Sequence, residues 1–415
     1  MRLEFGEPYK KPPTKPISNF SLHEMGLTKD DFVMVKETED LKKNPPLIVI
    51  AEAVKSVAFV QNYYKAQVIK KHVKYVMGIS TFQQLQYDPV KKVKILKPSS
   101  MKFTNLYNPY NGEDLSNKTL LVWRSGGIGD LLFIQPNLIY LKEKYPTCKI
   151  LFSCGPQYQP MVETWDCIDK VLDLPFPIRY LISSDYHVLF EGVIERTKEA
   201  EQICSYNLFS RWMGLDLPNE KLCPSQKPKD EEVEKCRKIL KDFNVEENKF
   251  VVMQLTASSP IRTPKEEVFA KICKFIVEKG YKILITDNPR RSSEISKFVN
   301  KVDKENLFNF SKFSESIATT IALTSISKMV ISPDSSLIHI AESLGIKSFG
   351  IYGPFPGKVR LETYKNVEWV DCKKECSPCF KHGQKPCSNS TLGFSNCFNN
   401  INYDEVFEKI ERQLM

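Results

Sequence analysis

The sequence predicts an α/β protein with two consecutive doubly wound halves that follow an N-terminal region of a different kind. From Lys118 onwards, short apolar stretches alternate with amphipathic stretches. Such alternation is typical of parallel strands covered on both faces by helices. The charged helical stretch DEEVEKCRKILKDFNV separates the two series and marks a domain boundary. Because ligands of these sheets bind beyond the carboxyl ends of the strands, we expect a site in a cleft between two facing halves.

Composition is that of a globular protein large enough for several domains. The 415 residues are 42% hydrophobic and 26% charged. No apolar run approaches the ~20 residues of a membrane span, and the N-terminus has no apolar signal region, so we expect a cytoplasmic protein. The net charge of +9 has two interpretations, a lysine-rich solvated surface or attraction to phosphate-bearing partners.

Residues 1–117 are predicted to form an accessory domain whose fold the sequence does not identify. The stretch PPLIVIAEAV is typical of a buried strand, and VKKVKILKP alternates like an edge strand. Between them, VAFVQNYYKAQVIKKHVKYV mixes β-branched and aromatic residues and fits either a helix or strands.

The first half is predicted over residues 118–225. The stretch KTLLVWRS indicates a strand and DLLFIQPNLIYLKEKYP a helix. Later in this half, a short helix is predicted at QPMVETWDC, and further strands at CKILFSCG, IDKVLDLPF and DYHVLFEGV.

The second half is predicted over residues 226–400, followed by a terminal helix at 401–415. Its strands are expected at KFVVMQLT, YKILITD, KMVISPD and KSFGIYG. Its helices are expected at PKEEVFAKICKFIVEKG, with Pro264 in the first turn and Gly280 at the end, and at SESIATTIALTSIS and SSLIHIAESLG.

A glycine-rich turn, RSGGIGDLLFIQP, joins the first strand and helix of the first half. Gly126, Gly127 and Gly129 permit tight curvature and close approach of a ligand. The turn lacks the Lys-Ser/Thr of a P-loop, so a phosphate cradle is a weak interpretation. Asp130 then has two interpretations that are compatible, an N-terminal helix cap and a general base facing the cleft.

A second motif, ISPDSSLIHIAESLGIKSFGIYGP, begins at Ile331. Its strand ends at Asp334, and a helix is expected to begin at the hydroxyls of Ser335 and Ser336. A helix N-terminus is suited to a diphosphate. Asp334 and His339 are either a cap and a core histidine, or ligand-binding residues at the strand ends.

Together these motifs resemble glycosyltransferase family 9, the ADP-heptose:lipopolysaccharide heptosyltransferases and their relatives. The family pairs Gly-Asp at the first turn with an Asp-Ser/Thr-x-x-x-His motif and a later Gly-Pro, as in Gly129-Asp130 and Asp334–His339 here. It also carries small hydroxyl residues and a basic residue after the first strand of the second half. The stretch QLTASSPIRTPKEE supplies Thr256, Ser258, Ser259 and Arg262. The family's common Lys-Arg-Trp-Pro is Ile-Arg-Thr-Pro here, so only the arginine matches.

The resemblance implies a GT-B fold and an inverting transferase that needs no catalytic metal. Its donor is a nucleotide-diphosphate sugar of the ADP-heptose type, and its acceptor a glycan, lipopolysaccharide or protein. An inner-membrane periphery is then a candidate location. Asp130 becomes the base, Gly127 and Gly129 give it access to the cleft, and the donor-binding residues are Thr256, Ser258, Arg262, Asp334, Ser335, Ser336 and His339.

Five of the twelve cysteines crowd residues 372–397. Cys-x-x-Cys with two further cysteines nearby is typical of a metal site, and four thiolates suit structural zinc or iron. Some family members carry such a segment, and the matching residues are Cys376, Cys379, Cys387 and Cys397. Reduced, unliganded thiols are the alternative. The other seven lie from Cys148 to Cys273 and are predicted to be buried apolar side chains.

Two alternative functions stay open. A basic chain could glycosylate DNA or protein, although no nucleic-acid motif is found in the sequence. A nucleotide-sugar-binding scaffold without activity is the other alternative, and the retained Asp130, Asp334 and His339 argue against it.

Overall fold

A computed structural model of the chain describes residues 48–60, 66–85, 87–88, 93–372, 374–380, 387 and 395–415. They fall into two compact units, and neither unit is a continuous segment. The first contains the described residues up to Gly126, with Asn137–Lys198 and Phe209–Asp216. The second contains Gly127–Pro136, Glu199–Leu208 and Leu217–Met415. The domain boundaries predicted from the sequence stay a prediction.

The N-terminal part of the first unit is an antiparallel sheet. Its strands are β1 (Ile48–Ala53), β4 (Lys74–Gly78) and β7 (Leu96–Pro98), and helix α1 (Ile79–Leu85) follows β4. Two small ribbons pair β2 (Val57–Val60) with β3 (Ala66–Ile69), and β5 (Tyr87–Asp88) with β6 (Val93–Lys94). The stretch that fitted either helix or strands is therefore mostly strand, as its β-branched and aromatic residues allow.

A parallel sheet forms the rest of the first unit, with strand order β10-β9-β8-β12. The strands are β8 (Thr119–Trp123), β9 (Lys149–Ser153), β10 (Lys170–Leu172) and β12 (Tyr186–Leu189). The short strand β11 (Phe176–Pro177) instead pairs antiparallel with β4 of the N-terminal sheet. The helices that begin in residues 128–205 are α2 (Ile128–Lys144), α3 (Gln159–Val162), α4 (Arg179–Ile182), α5 (Val193–Arg196) and α6 (Ser205–Trp212).

The second unit is built on a six-stranded parallel sheet of order β15-β14-β13-β16-β17-β18. Its strands are β13 (Phe250–Met253), β14 (Lys282–Ile285), β15 (Leu307–Asn309), β16 (Met329–Pro333), β17 (Ser348–Tyr352) and β18 (Val367–Asp371). Its helices are α7 (Asp230–Asp242), α8 (Glu266–Glu278), α9 (Ser292–Val302), α10 (Ile317–Ser325), α11 (Ser336–Ser343), α12 (Lys358–Leu361) and α13 (Tyr403–Leu414). Helix α8 begins two residues after Pro264, which was predicted to lie in its first turn.

Both faces of this sheet are buried, which explains its continuous apolar strands. Val251 and Met253 pack into one apolar cluster, whereas Val252 between them packs into the other. Successive side chains of a strand point to opposite faces, so the strands of a doubly covered sheet are mostly apolar.

Within the residues that the structure describes, no helix is both long enough and apolar enough to cross a bilayer.

Candidate functional site

The glycine-rich turn is shaped by one residue with left-handed backbone. Strand β8 ends at Trp123 and helix α2 begins at Ile128, with Gly127 at φ +89°. This conformation favours glycine. A side chain at Gly127 would also clash with the Asp130 carboxylate, which folds back over it. Asp130 is the third residue of α2, so it lies in the first turn of the helix and not at the cap position before it.

The start of α2 packs directly on His339. A methyl group on Gly129 would lie 2.9 Å from Cδ2 and 3.2 Å from Nε2 of the imidazole. The ring of Phe133 meets the same imidazole edge-on, with 5.0 Å between centroids. Glycine at 129 is therefore required by close approach, and the structure brings the Gly-Asp motif and the second motif together.

The segment after the central strand β13 donates hydrogen bonds to two carboxylates, those of Asp287 and Asp334. Thr256 donates from its backbone N–H (3.2 Å) and its hydroxyl (2.8 Å) to Asp287. Arg262 donates from Nη1 to Asp334 Oδ2 at 3.2 Å and from Nη2 to the Ser258 hydroxyl. Within the described part of the chain, Arg262 Nε is buried and has no hydrogen-bond partner.

The segment after β16 forms the N-terminus of helix α11, which is capped by Ser335. The hydroxyl of Ser335 caps α11 by accepting from Leu337 N–H, and it donates to Gln254 Oε1 at 2.7 Å. Ser336 is the first residue of the helix. The strand order reverses between β13 and β16, which is the place where doubly wound sheets bind ligands.

Asp334 and His339 are both almost fully buried, with 3% and 4% exposure. Burial raises the pKa of Asp334, but the guanidinium groups of Arg262 and Arg360 outweigh it and hold that pKa below its usual value. Burial lowers the pKa of His339 to about 3, so its imidazole is neutral at physiological pH. Two arginines, one aspartate and a neutral histidine leave a local excess of positive charge.

Arg360 and Asp287 lie at the candidate site but were not predicted from the sequence. Arg360 is 4% exposed, donates to Ser205 Oγ at 2.6 Å and lies over the Phe355 ring. Nothing in its sequence context distinguishes it from a surface arginine. Asp287 follows an apolar strand next to β13, and that position was the signal that could have identified it.

Part of the cysteine segment gathers around Gly353 and Pro354. A side chain on Gly353 would lie 3.2 Å from Cys397 Cβ, and Cys379 N–H donates to Pro354 O at 3.1 Å. Burial raises the pKa of the Cys397 thiol, and the thiols of Cys376 and Cys379 add to that rise. Cys387 stands between residues 381–386 and 388–394, which lie outside the described residues.

This donor set suits zinc or iron by its chemistry, since thiolates are the ligands that these metals take in structural sites. Among the described residues, however, no three metal-ligating side chains are arranged to hold an ion. The seven cysteines from Cys148 to Cys273 are all buried except Cys223, as predicted for apolar side chains.

Comparison with known proteins agrees with the motifs. Residues 200–388 match the family model of glycosyltransferase family 9 (heptosyltransferase). No curated protein matches the chain in sequence. The resemblance predicted from three separated motifs is thereby confirmed.

Solved structures show the same fold. ADP-heptose lipopolysaccharide heptosyltransferase II of E. coli is 13% identical, with a TM-score of 0.55 over 72% of this chain and 98% of that one. A family 9 glycosyltransferase of Veillonella parvula DSM 2008 is 13% identical, with a TM-score of 0.57 over 73% and 99%. The dodecameric iron-containing heptosyltransferase TibC of enterotoxigenic E. coli, in complex with ADP-D-β-D-heptose, is 9% identical, with a TM-score of 0.51 over 88% and 90%. The predicted α/β, GT-B-type fold is confirmed.

Proposed function

Because residues 200–388 match the family model of glycosyltransferase family 9, we propose that this enzyme transfers a heptose-like sugar from an ADP-linked donor to an acceptor hydroxyl. The acceptor is part of a glycan or lipopolysaccharide, and the anomeric centre inverts. The observation that carries the proposal is the positively charged cluster of Arg262, Arg360, Asp334 and His339 beside the strand ends of β13 and β16.

The donor diphosphate is assigned to this cluster for two reasons. An anion would balance the charge of Arg262 and Arg360, of which Asp334 balances only one. The N-terminus of α11 at Ser335 and Ser336 supplies backbone N–H groups beside it. TibC is described in complex with an ADP-heptose, which supports the same donor class for this chain.

Asp130 is the proposed general base. It takes the proton of the acceptor hydroxyl while the hydroxyl oxygen forms a bond to the anomeric carbon. The bond from that carbon to the diphosphate oxygen breaks on the opposite face, and its electron pair leaves with the diphosphate. Arg262 and the start of α11 stabilise the charge that develops there. Gly129, next to Asp130, lies against His339, so the base and the donor cluster are neighbours.

Turnover of ADP-heptose by the Asp130→Asn variant tests this assignment. We expect a loss of about 100-fold or more, typical of a missing general base, while the donor still raises the melting temperature. Turnover within a few-fold of wild type would remove Asp130 as the base. Arg262→Ala should raise the donor KM, and an unchanged KM and kcat would remove Arg262 from the donor site.

The acceptor class is tested by offering the enzyme, in the presence of the ADP-linked sugar donor, lipopolysaccharide core, protein and DNA as acceptors. Transfer to a lipopolysaccharide core supports the proposal, whereas transfer only to protein or DNA would replace its acceptor. A chain that neither transfers nor hydrolyses any nucleotide sugar would be an inactive scaffold.

The cysteine segment supports a second, structural proposal. Cys376, Cys379, Cys387 and Cys397 would hold a zinc or iron ion that ties the segment to Gly353 and Pro354. Metal content of the purified protein tests it, with Cys397→Ser against Cys236→Ala, a buried thiol in α7. We expect about one ion per chain, lost in Cys397→Ser and kept in the control. Equal metal content in the two variants would overturn the site.

A further inference from the structure

His339 is joined to two tyrosines by a chain of hydrogen bonds. Its Nδ1 lies 2.5 Å from the Tyr364 hydroxyl, which lies 2.8 Å from the Tyr206 hydroxyl. His339 is on α11, Tyr206 on α6, and Tyr364 follows α12. The three side chains belong to one compact unit.

The protons of this chain can be arranged in two ways. In one, Tyr206 donates to Tyr364, Tyr364 donates to Nδ1, and the imidazole proton sits on Nε2. In the other, Nδ1–H donates to Tyr364, Tyr364 donates to Tyr206, and the Tyr206 proton must find another acceptor.

Burial of Tyr206 decides between them. Its side chain is fully buried, and within the described residues its hydroxyl has Tyr364 as its one hydrogen-bond partner. The second arrangement would therefore leave a buried hydroxyl proton without an acceptor, which is costly. In the first arrangement, both tyrosine hydroxyl protons have an acceptor, and only the Nε2–H of His339 is left to donate to another group.

Nε2 of His339, the ring nitrogen that is not hydrogen-bonded to Tyr364, faces the proposed site. Nε2 lies 3.2 Å from the point where a Gly129 side chain would begin, one residue before Asp130. The rings of Phe133 and Tyr364 both meet the imidazole edge-on and fix its plane. Its charged surroundings are Asp334, Arg262 and Arg360. A neutral imidazole has one N–H, so the tautomer decides whether this face donates or accepts.

We propose that Tyr364, with Tyr206 behind it, is a positioning residue that holds His339 in its Nε2–H form, so that the imidazole donates a hydrogen bond to the donor diphosphate. The tautomer follows from the structure alone, while the diphosphate as its acceptor rests on the proposed function. A neutral Nε2–H cannot accept the acceptor's proton, which leaves that task to Asp130.

Nitrogen-15 NMR of the histidines tests the tautomer without any substrate. The chain has five histidines, and His339→Gln identifies the signal. His187 is an internal standard, because its Nδ1 accepts from Asn108 N–H at 2.8 Å and its Nε2 therefore donates to Leu181 O at 2.9 Å. We expect His339 to show the same Nε2–H pattern, and an Nδ1–H pattern in the wild type would overturn the proposal.

Three Tyr→Phe variants separate positioning from packing. Tyr364→Phe should move the His339 signals towards a mixture of tautomers and raise the donor Kd about fivefold to tenfold. Tyr206→Phe, which leaves the Tyr364 proton to donate to Nδ1, should change the Kd by less than about twofold. Tyr110→Phe is the control, because Tyr110 is buried and the ionisable groups near its hydroxyl include Tyr145 and Glu113 but none of the charged residues of the proposed site, and it should change neither readout.

Unchanged tautomer and donor Kd in Tyr364→Phe would overturn the proposal. Failure of the wild type to bind any ADP-sugar would instead overturn the proposed function and the diphosphate contact, while the NMR pattern would still report the tautomer.

Discussion

Asp287 and Asp334 occupy equivalent places on the two sides of β13 but differ in their charge balance. Each follows a strand that pairs directly with β13, and each is buried, with 9% and 3% exposure. Burial raises the pKa of Asp287, and neither the hydrogen bonds it accepts from Asn288 and Thr256 nor the nearby guanidinium of Arg291 reverses that rise. The pKa of Asp334 is instead lowered, because guanidinium groups outweigh the burial.

The hydrogen-bonding and charged partners of a buried carboxylate thus decide the direction in which its pKa moves. The loop after β13 offers hydroxyl and amide donors on one side and a guanidinium on the other. Hydroxyl and amide groups stabilise a carboxylate less than an opposite charge does at the same burial. The two sides are thereby suited to different roles. An ion pair of Arg262 and Asp334 lies on the β16 side, next to the proposed diphosphate, whereas on the β14 side the carboxylate of Asp287 is hydrogen-bonded to hydroxyl and amide groups.

Arg262→Gln should produce the largest effect. It leaves Asp334 buried without its ion pair, and we expect the free energy of unfolding to fall by about 3 kcal/mol, the lower end for a broken buried pair because Arg360 remains nearby. Urea unfolding at neutral pH measures it. Arg237→Gln is the control, since its ion pairs with Glu234 and Glu247 are exposed and worth under about 1 kcal/mol. Equal losses in the two variants would contradict the comparison.

Thr256→Val should have a smaller effect. It removes the hydroxyl that donates to Asp287 and keeps the side-chain shape, so we expect a loss of about 1.5 kcal/mol in the free energy of unfolding. Thr363→Val is the matched control, because the Thr363 hydroxyl is buried and has no partner among the described residues. A loss in the control as large as in Thr256→Val would show that packing, and not the hydrogen bond, is being measured.

Asp287→Asn should give the smallest change at neutral pH and the clearest dependence on pH. The folded-state pKa of Asp287 is raised, so its stabilising contribution is full below the ordinary aspartate pKa and is lost as the pH rises through the folded value. Relative to the variant, the wild type should therefore lose stability as the pH rises from about 4. Urea unfolding from acid to neutral pH measures this, and a difference that is flat or of opposite slope would contradict the raised pKa.

The sequence predicted the strands and helices of the two α/β series better than the remaining elements. The apolar stretch FVVM, for example, lies in the doubly covered sheet, where burial on both faces favours apolar residues. The short edge strands β15 and β18 were missed, because Leu307–Asn309 and Val367–Asp371 are only partly buried and carry little pattern. The stretch IDKVLDLPF was predicted as one strand, but it contains β10 and the first residue of β11, and the pairing of β11 with β4 depends on tertiary contacts.

At the candidate site, the two motifs identified in the sequence supply residues that lie close together, with Gly129 against His339 and Asp334 near the same histidine. Arg360 and Tyr364 could not be found in this way, because their roles depend on burial beside residues distant in sequence, Ser205 and Tyr206. Hydrogen-bond partners across more than 100 positions leave no local signal in a single sequence.

The second unit draws on three separate stretches of chain, and this has a practical consequence for anyone who expresses it alone. A fragment that begins at Leu217 would contain the whole six-stranded sheet but would lack Gly129, Phe133 and Tyr206. The histidine would then be hydrated on one side and its tyrosine partner unpaired. Such a fragment could fold and still fail to bind the donor, so a negative binding result from it would not count against the intact enzyme.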